Sequence, residues 1–175
     1  MVAVESARAI LRRMAFRKTS DEDARALLDA AFVCDLIKVR ALLQAGVSPN
    51  VRDEDGRTPL FSAVLGGSIG LVGLLLEAGA GVSLRDNQGF TPLHFAAQEY
   101  LPEMARLLIA KGADVEARDE DGSSVLWRAV FSDREGHEVV NALLTAGAKP
   151  DVANKAGETP RALANRLGSS VFTAN

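Results

Sequence analysis

Residues 86–118 read DNQGFTPLHFAAQEYLPEMARLLIAKGADVEAR, and this stretch decides the fold. Its Thr-Pro-Leu at 91–93 has counterparts in Thr-Pro-Leu at 58–60, Ser-Val-Leu at 124–126 and Thr-Pro-Arg at 159–161. The successive spacings are 33, 33 and 35 residues. Two glycine series keep the same spacing: Gly56, Gly89, Gly122 and Gly157, and Gly46, Gly79, Gly112 and Gly147. A fixed period of this length predicts a stack of repeated structural units.

Each period has the pattern turn, helix, turn, helix. In residues 86–118, Gly89 belongs to a tight turn, Thr91 can cap the first helix through its hydroxyl, and Pro92 suits the first helical position. We expect this helix to run to about residue 99. Pro102 stands near the start of a second helix, and Gly112 ends it.

A single pair of helices cannot bury its apolar face, so neighbouring units must share one core. Small residues at equivalent places would let the first helices pack closely: Ala63, Ala96, Ala129 and Ala164. Leucine pairs are expected to form the core of the second helices: Leu42-Leu43, Leu75-Leu76, Leu107-Leu108 and Leu143-Leu144.

The segments GFTPLHFAA (89–97) and KGADV (111–115) resemble the ankyrin repeat. The resemblance covers roughly residues 21–168. It implies an all-α solenoid of about five stacked helix-turn-helix units joined by β-hairpin-like turns. It also implies a concave groove, formed by the hairpin tips and the first helices, in which protein partners bind.

This pattern predicts an ankyrin-repeat domain at 20–168, made of units 20–52, 53–85, 86–118 and 119–153 and a terminal half-repeat at 154–168. Residues 1–19 are expected to form a basic amphipathic helix that caps the stack, and residues 169–175 a C-terminal tail. The helical face would be Ala7, Ile10, Leu11 and Met14. An anionic membrane surface is the alternative binding site for this segment, and a targeting peptide is a further one.

The repeats differ from one another at two informative places. The framework histidine of the family occurs as His94, whereas Phe61, Trp127 and Ala162 stand at the equivalent positions. The fourth repeat has two extra residues between its helices, within 132–137, and we expect that loop to bulge.

Composition excludes several classes of protein. The chain of 175 residues is 47% apolar and 25% charged, which is typical of a soluble globular domain. Its net charge is −3; residues 1–20 carry +4, so the rest carries −7. An acidic body argues against nucleic-acid binding. Cys34 is the single cysteine, and we find no signal peptide or membrane-spanning run, so we expect a cytoplasmic protein.

No catalytic constellation is convincing. His94 belongs to the framework motif, His137 is expected to be an exposed loop residue, and Cys34 a small hydrophobe near an inter-helix turn. The acidic runs 53–55 and 119–121 lack the ligand spacing of a calcium loop and are expected to be solvated. Residues 66–70 are glycine-rich but have no phosphate-binding motif, which indicates an inter-helix turn. We therefore expect no catalytic residue, cofactor or metal.

Large apolar and charged residues fall at places that the repeat framework does not require. Aromatic anchors with a polar rim are typical of protein interfaces, and an acidic rim would favour a basic partner. The proposed groove residues are Phe32, Arg57, Leu65, Phe90, Gln98, Glu99, Glu120, Asp121, Trp127 and Phe131, with Glu54 and Asp55 in the rim. The alternatives are that Phe61 and Trp127 fill space left by missing histidines and that the acids only solubilise the surface.

The resemblance therefore predicts a non-catalytic protein-protein interaction module. One alternative is a small inhibitor or immunity protein that neutralises a toxin or another enzyme, and another is a general regulatory adaptor. A membrane-surface adaptor that uses residues 1–19 is a remote one. We expect a monomer, with self-association through the apolar groove as the alternative. The Ala-, Arg- and Gly-rich composition suggests a bacterial source.

Overall fold

A computed structural model of the chain describes residues 20–133 and 136–172. Nine helices lie within those residues. They are α1 (Asp21–Phe32), α2 (Leu36–Gln44), α3 (Pro59–Leu65), α4 (Ile69–Glu77), α5 (Pro92–Gln98), α6 (Pro102–Ala110), α7 (Val125–Phe131), α8 (Glu138–Thr145) and α9 (Pro160–Leu167). The predicted capping helix at 1–19 lies outside the described residues.

Six of the nine described helices begin where a polar N-cap side chain accepts a free backbone N–H group. The Thr91 hydroxyl accepts the N–H of His94, and Pro92 takes the first position of α5. At α1, Ser20 and Asp23 bond reciprocally, with each side chain accepting the backbone N–H of the other. The Thr91 cap and the Pro92 position confirm the sequence prediction.

The helices form two layers. The first helices of the repeats, α1, α3, α5, α7 and α9, contact one another in succession, while α2 packs on α4 and α6 on α8 in the second layer. The predicted core alanines of the first layer are fully buried: Ala63, Ala96, Ala129 and Ala164. In the second layer one leucine of a pair is fully buried, as with Leu75, Leu108 and Leu143, but Leu42 and Leu43 are both only half-buried.

The turns between repeats share one hydrogen-bond pattern. In each tip, the first side chain accepts the backbone N–H groups of the residues two and four positions later, at 2.8–3.0 Å. These first residues are Asp53, Asp86, Asp119 and Asn154. Asp119 is also buried, and the expectation that the whole run 119–121 is solvated is wrong for this residue. Within the described residues the tips contain no strand, and the one isolated bridge joins Arg118 to Ser124.

Neighbouring tips are also joined to each other. The N–H groups of Asn87, Glu120 and Lys155 donate to carbonyl groups of the preceding tip, each at 2.9 Å. This close approach explains Gly89, whose φ is +79° and whose added Cβ would lie 2.9 Å from the Glu120 nitrogen. The tips thus form a continuous edge along the stack.

The inter-helix loops have three residues in the first three repeats and six, 132–137, in the fourth. The longer loop agrees with the predicted insertion, although residues 134–135 lie outside the described part. In this loop His137 is half-buried, and its Nδ1 lies 2.5 Å from Asp133 Oδ2. The expectation of an exposed His137 is therefore wrong, because the buried Asp133 carboxylate holds the ring against the protein.

Candidate functional site

The first helices and the tips together form one surface of the stack, which we call the groove. At the α1 end, α1 and the tip at 52–55 line a cavity of about 660 Å³. Leu28 and Ala24 contribute apolar surface to it. Its charged lining consists of Asp21, Asp29, Asp53, Glu54 and Asp55 against Arg25 and Arg52. This end of the groove is therefore acidic.

Aromatic rings extend from the buried Phe61 in α3 to the exposed Phe131 at the end of α7. The Phe61 and Phe95 ring centroids are 5.6 Å apart, and those of Phe95 and Phe90 are 5.5 Å apart. Trp127 and Phe131 stack at 5.6 Å with an angle of 7° between their planes. We call these five residues the aromatic row. Phe131, at the end of α7, is 58% exposed, so the row ends in a ring that solvent reaches.

Arg128 joins the two halves of the aromatic row. Its guanidinium carbon lies 4.9 Å from the Phe90 ring centroid and 5.3 Å from that of Trp127. The Asp119 carboxylate accepts hydrogen bonds from Arg128 at 2.6 and 2.9 Å, and the Asp119 side chain is 1% exposed. Because Asp119 neutralises this cation, Arg128 contributes a flat surface and no free positive charge.

Arg57 has a similar arrangement one repeat earlier. Its guanidinium lies 5.2 Å from the Phe95 ring centroid and 3.5 Å from carboxylate oxygens of Asp55 and Asp86. The sequence-based site included Arg57 as a basic rim residue. In the structure the side chain is committed to intramolecular ion pairs, so the rim gains no free base from it.

The remaining rim charges are acidic. Glu54, Glu99 and Glu120 are exposed, and none of the three forms an ion pair within the described residues. The Asp121 side chain is 81% exposed despite its 3.5 Å contact with Arg128. The groove therefore presents carboxylates without ion-pair partners among the described residues, at its tips and directly after α5.

The structure brings some of the proposed site residues together and leaves others apart. Phe90, Trp127 and Phe131 join the aromatic row, with Glu120 and Asp121 on the adjacent tip. Phe32 and Leu65 are exposed at the ends of α1 and α3, in the same column as the half-buried Gln98, and Glu99 directly follows α5. None of these four has a ring contact with the row.

The sequence-based site missed several groove residues. Phe95 and Arg128 occupy one repeat position, shared with Asp29 and Ser62. Asp29 lines the cavity at the α1 end, Phe95 belongs to the aromatic row and Arg128 contacts it. The 33-residue spacing could have identified this column. Phe61 is fully buried, so the alternative that it fills space is confirmed for this residue. The half-buried Trp127 both packs on the core and supports Phe131.

His94 and Cys34 both pack within the protein. Burial lowers the pKa of His94 to about 4, against the opposing effect of Asp119. Its Nδ1 accepts the Thr91 N–H at 3.1 Å, so the neutral ring is a structural acceptor at neutral pH. Cys34 is half-buried against the core. Across the described residues, no group of His, Cys, Asp and Glu has the arrangement of a metal site.

The comparisons with known proteins agree with this geometry. The family model for ankyrin repeats in three copies matches residues 27–119 and 84–154. No curated protein matches the chain. Within the described part of the chain, no helix combines the length and apolarity that crossing a membrane requires.

Proposed function

Because the chain belongs to the ankyrin-repeat family, whose members are generally protein-binding and typically non-catalytic modules, we propose that it binds a basic protein segment in its groove. The segment would place an apolar side chain against Phe131 and Trp127 and its positive charges beside the acidic tips. No bond is made or broken in the partner. The protein acts by covering or positioning the bound segment.

The exposed stack of Trp127 on Phe131 carries this proposal. Trp127 is fixed by the core and by Arg128, so Phe131 is held in place before a partner arrives. Burying a preorganised ring costs little side-chain entropy, and such aromatic residues are enriched among the strongest interface contacts. A ring that is 58% exposed still has apolar surface to bury on binding.

The partner's charge follows from the arginines. Arg57 and Arg128 are both paired with carboxylates, whereas Glu54, Glu99 and Glu120 have no ion pair among the described residues. Complementary charge accelerates encounter and disfavours acidic competitors. A lysine- or arginine-bearing segment is therefore the chemistry that this rim favours.

The acid rim also supports a narrower proposal, in which the protein neutralises a basic enzyme or toxin as an inhibitor or immunity protein. A regulatory adaptor that positions a basic partner would use the same surface. For both we propose a bacterial, cytoplasmic and monomeric protein, on the composition and the lone Cys34. These finer roles differ in their consequence for the partner, which is loss of activity in the first case and relocation in the second.

The test is affinity capture from the source lysate with four purified baits. They are the wild type, Phe131→Ser, Glu120→Lys and, as a matched control, Glu77→Lys, which reverses an exposed charge at the end of α4. We expect one basic protein to be retained by the wild type and the control. Loss of an interface anchor costs about 2 kcal/mol, so Phe131→Ser should weaken its binding by roughly 30-fold.

Circular dichroism first establishes that all four baits are folded. The captured protein is then titrated with each bait by calorimetry. Equal affinity for wild type and Phe131→Ser would refute the site, and equal losses for Glu120→Lys and Glu77→Lys would refute the role of the rim. Activity of the captured partner, measured with and without the bait, separates an inhibitor from an adaptor.

A further inference from the structure

The second helix of the first described repeat exposes unusually apolar side chains. Ile37 in α2 is 85% exposed, the preceding Val33 is 69% exposed and Leu36 is 38% exposed. At the position of Ile37 the later repeats have Gly70, Glu103 and Glu138. The position is exposed in every repeat, and an apolar side chain there is an exception within the protein's own repeat.

Leu42 differs from its counterparts in the same way. The equivalent residues of the other second helices, Leu75, Leu108 and Leu143, are fully buried, whereas Leu42 is half-buried. Each of those helices follows an earlier second helix along the chain, and α2 is the first of the described ones. The incomplete burial of Leu42 therefore agrees with a missing neighbour.

The surface of α2 has the form of a site for such a neighbour. Five residues of α2 line a groove of about 400 Å³, and four of them stand at the repeat positions of α8 residues: Ile37, Arg40, Ala41 and Gln44 correspond to Glu138, Asn141, Ala142 and Thr145. The α8 residues line a groove of about 490 Å³ whose opposite wall is α6, through Arg106, Ile109 and Ala110. By this correspondence, the α2 groove is shaped to receive a second helix of a preceding unit.

Residues 7–13 have the sequence of that helix. They read ARAILRR, and residues 39–45 of α2 read VRALLQA. Arg8, Ala9 and Leu11 thus match Arg40, Ala41 and Leu43 at a separation of 32 residues, and Ile10 replaces Leu42. This separation is close to the repeat period of 33.

The connection to α1 is long enough. Residues 14–19 lie between this segment and Ser20, and six residues span up to about 20 Å. Packed helices are about 10 Å apart. Since α1 and α2 are joined by a three-residue loop and pack on each other, the end of α2 lies beside the start of α1. The link therefore reaches a helix seated next to α2.

We propose that residues 7–13 bind in the α2 groove as the second helix of an additional half-repeat. Ile10 and Leu11 then complete the core around Leu42, and Ile37 becomes partly covered, as the Glu138 side chain is beside α6 at 50% exposure. Arg8 takes the place that Arg106 has on α6. Arg106 forms an ion pair with Glu138 at 2.6 Å. Since α2 has Ile37 at the position of Glu138, Arg8 would make an apolar contact there in place of the ion pair. This inference is independent of the groove partner.

A thermodynamic cycle tests the contact. Ile37→Asp is introduced into the full chain and into a chain lacking residues 1–19, and unfolding midpoints are measured by circular dichroism. If residues 7–13 cover Ile37, a charge at this position should lower the unfolding midpoint of the full chain by about 5 °C. In the truncated chain, where Ile37 is already exposed, the same change should have little effect.

The matched control is Leu167→Asp at the other end of the stack, where 49% of the side chain is exposed. Its effect should be the same in both backgrounds. If the truncated chain does not fold, Ile10→Asp in the full chain replaces the truncation in the cycle. Equal effects of Ile37→Asp with and without the segment would overturn the proposal. So would a wild-type dimer, detected by sedimentation, that Ile37→Asp dissociates, because a second copy would then cover this surface.

Discussion

At the scale of single residues, His94 is held by two effects that act together. Its ring is fully buried, and its Nδ1 accepts the N–H of Thr91 at the start of α5. Both favour the neutral ring. The pKa is therefore lowered from 6.5 to about 4, with burial as the main cause.

This lowered pKa predicts how stability depends on pH. Below pH 6.5 the unfolded chain protonates His94 while the folded chain does not, so the folded state loses stability as pH falls from 6.5 towards 4. The loss over that window is about 3 kcal/mol. Urea unfolding of wild type and His94→Phe at pH 7 and pH 4 measures it. The variant, which carries the residue found at position 61, should lose less stability by that amount; equal losses would contradict this assignment.

Gly89 provides a second prediction at this scale. Gly89 and Gly157 have the same φ, +79°, but an added Cβ meets the next tip only at Gly89, since nothing lies within 4 Å of the one at Gly157. We expect Gly89→Ala to cost about 2 kcal/mol and Gly157→Ala about 1 kcal/mol. Urea unfolding of both variants isolates the tip contact. Equal costs would contradict a role for the tip contact, because backbone strain alone would then explain both losses.

At the scale of elements, the repeat sequence predicts more of the helices than of the groove. Thr91, Pro92 and Gly112 act within one turn of their own helix, so local sequence is sufficient to place them. Asp119 and Arg128 are nine residues apart and meet because the tip folds back over α7. Such a contact depends on the angle between two elements, and neither residue's local pattern reveals it.

The same reasoning applies to exposure. The pattern identifies the column that contains Phe32 and Phe131, but it does not tell which rings contact others. Phe131 stacks on Trp127 one turn earlier in α7, whereas Phe32 is 78% exposed without a ring contact among the described residues. Phe95 lies at 9% exposure because Phe61 and Phe90 both pack on it, which depends on two adjacent repeats being in place.

The close packing of the first helices gives a prediction for an element. Ala96 in α5 is fully buried between the helices of adjacent repeats, α3 and α7. Replacing it by leucine should cost about 2 kcal/mol, because the added atoms force the layers apart. Ala110→Leu, at an exposed place in α6, is the control and should cost little. The urea midpoints of the two variants test this, and a small effect at Ala96 would contradict the close packing of the layers.

At the scale of the whole molecule, charge and shape act together. The tips are joined by backbone hydrogen bonds along the stack, so their acidic residues keep a fixed spacing. The chain outside residues 1–20 carries −7, and the two groove arginines nearest the aromatic row are paired. Under the proposed function, this acidic edge would favour basic segments over acidic ones.

The most direct test of this account places a photo-crosslinking benzoylphenylalanine at position 131, with the same amino acid at the exposed position 167 as the control. After illumination in the source cells, crosslinked peptides are identified by mass spectrometry. We predict one partner that crosslinks from position 131 and not from 167, through a peptide rich in lysine or arginine. Crosslinks that are equally abundant from both positions, or that involve acidic peptides, would contradict binding in the groove.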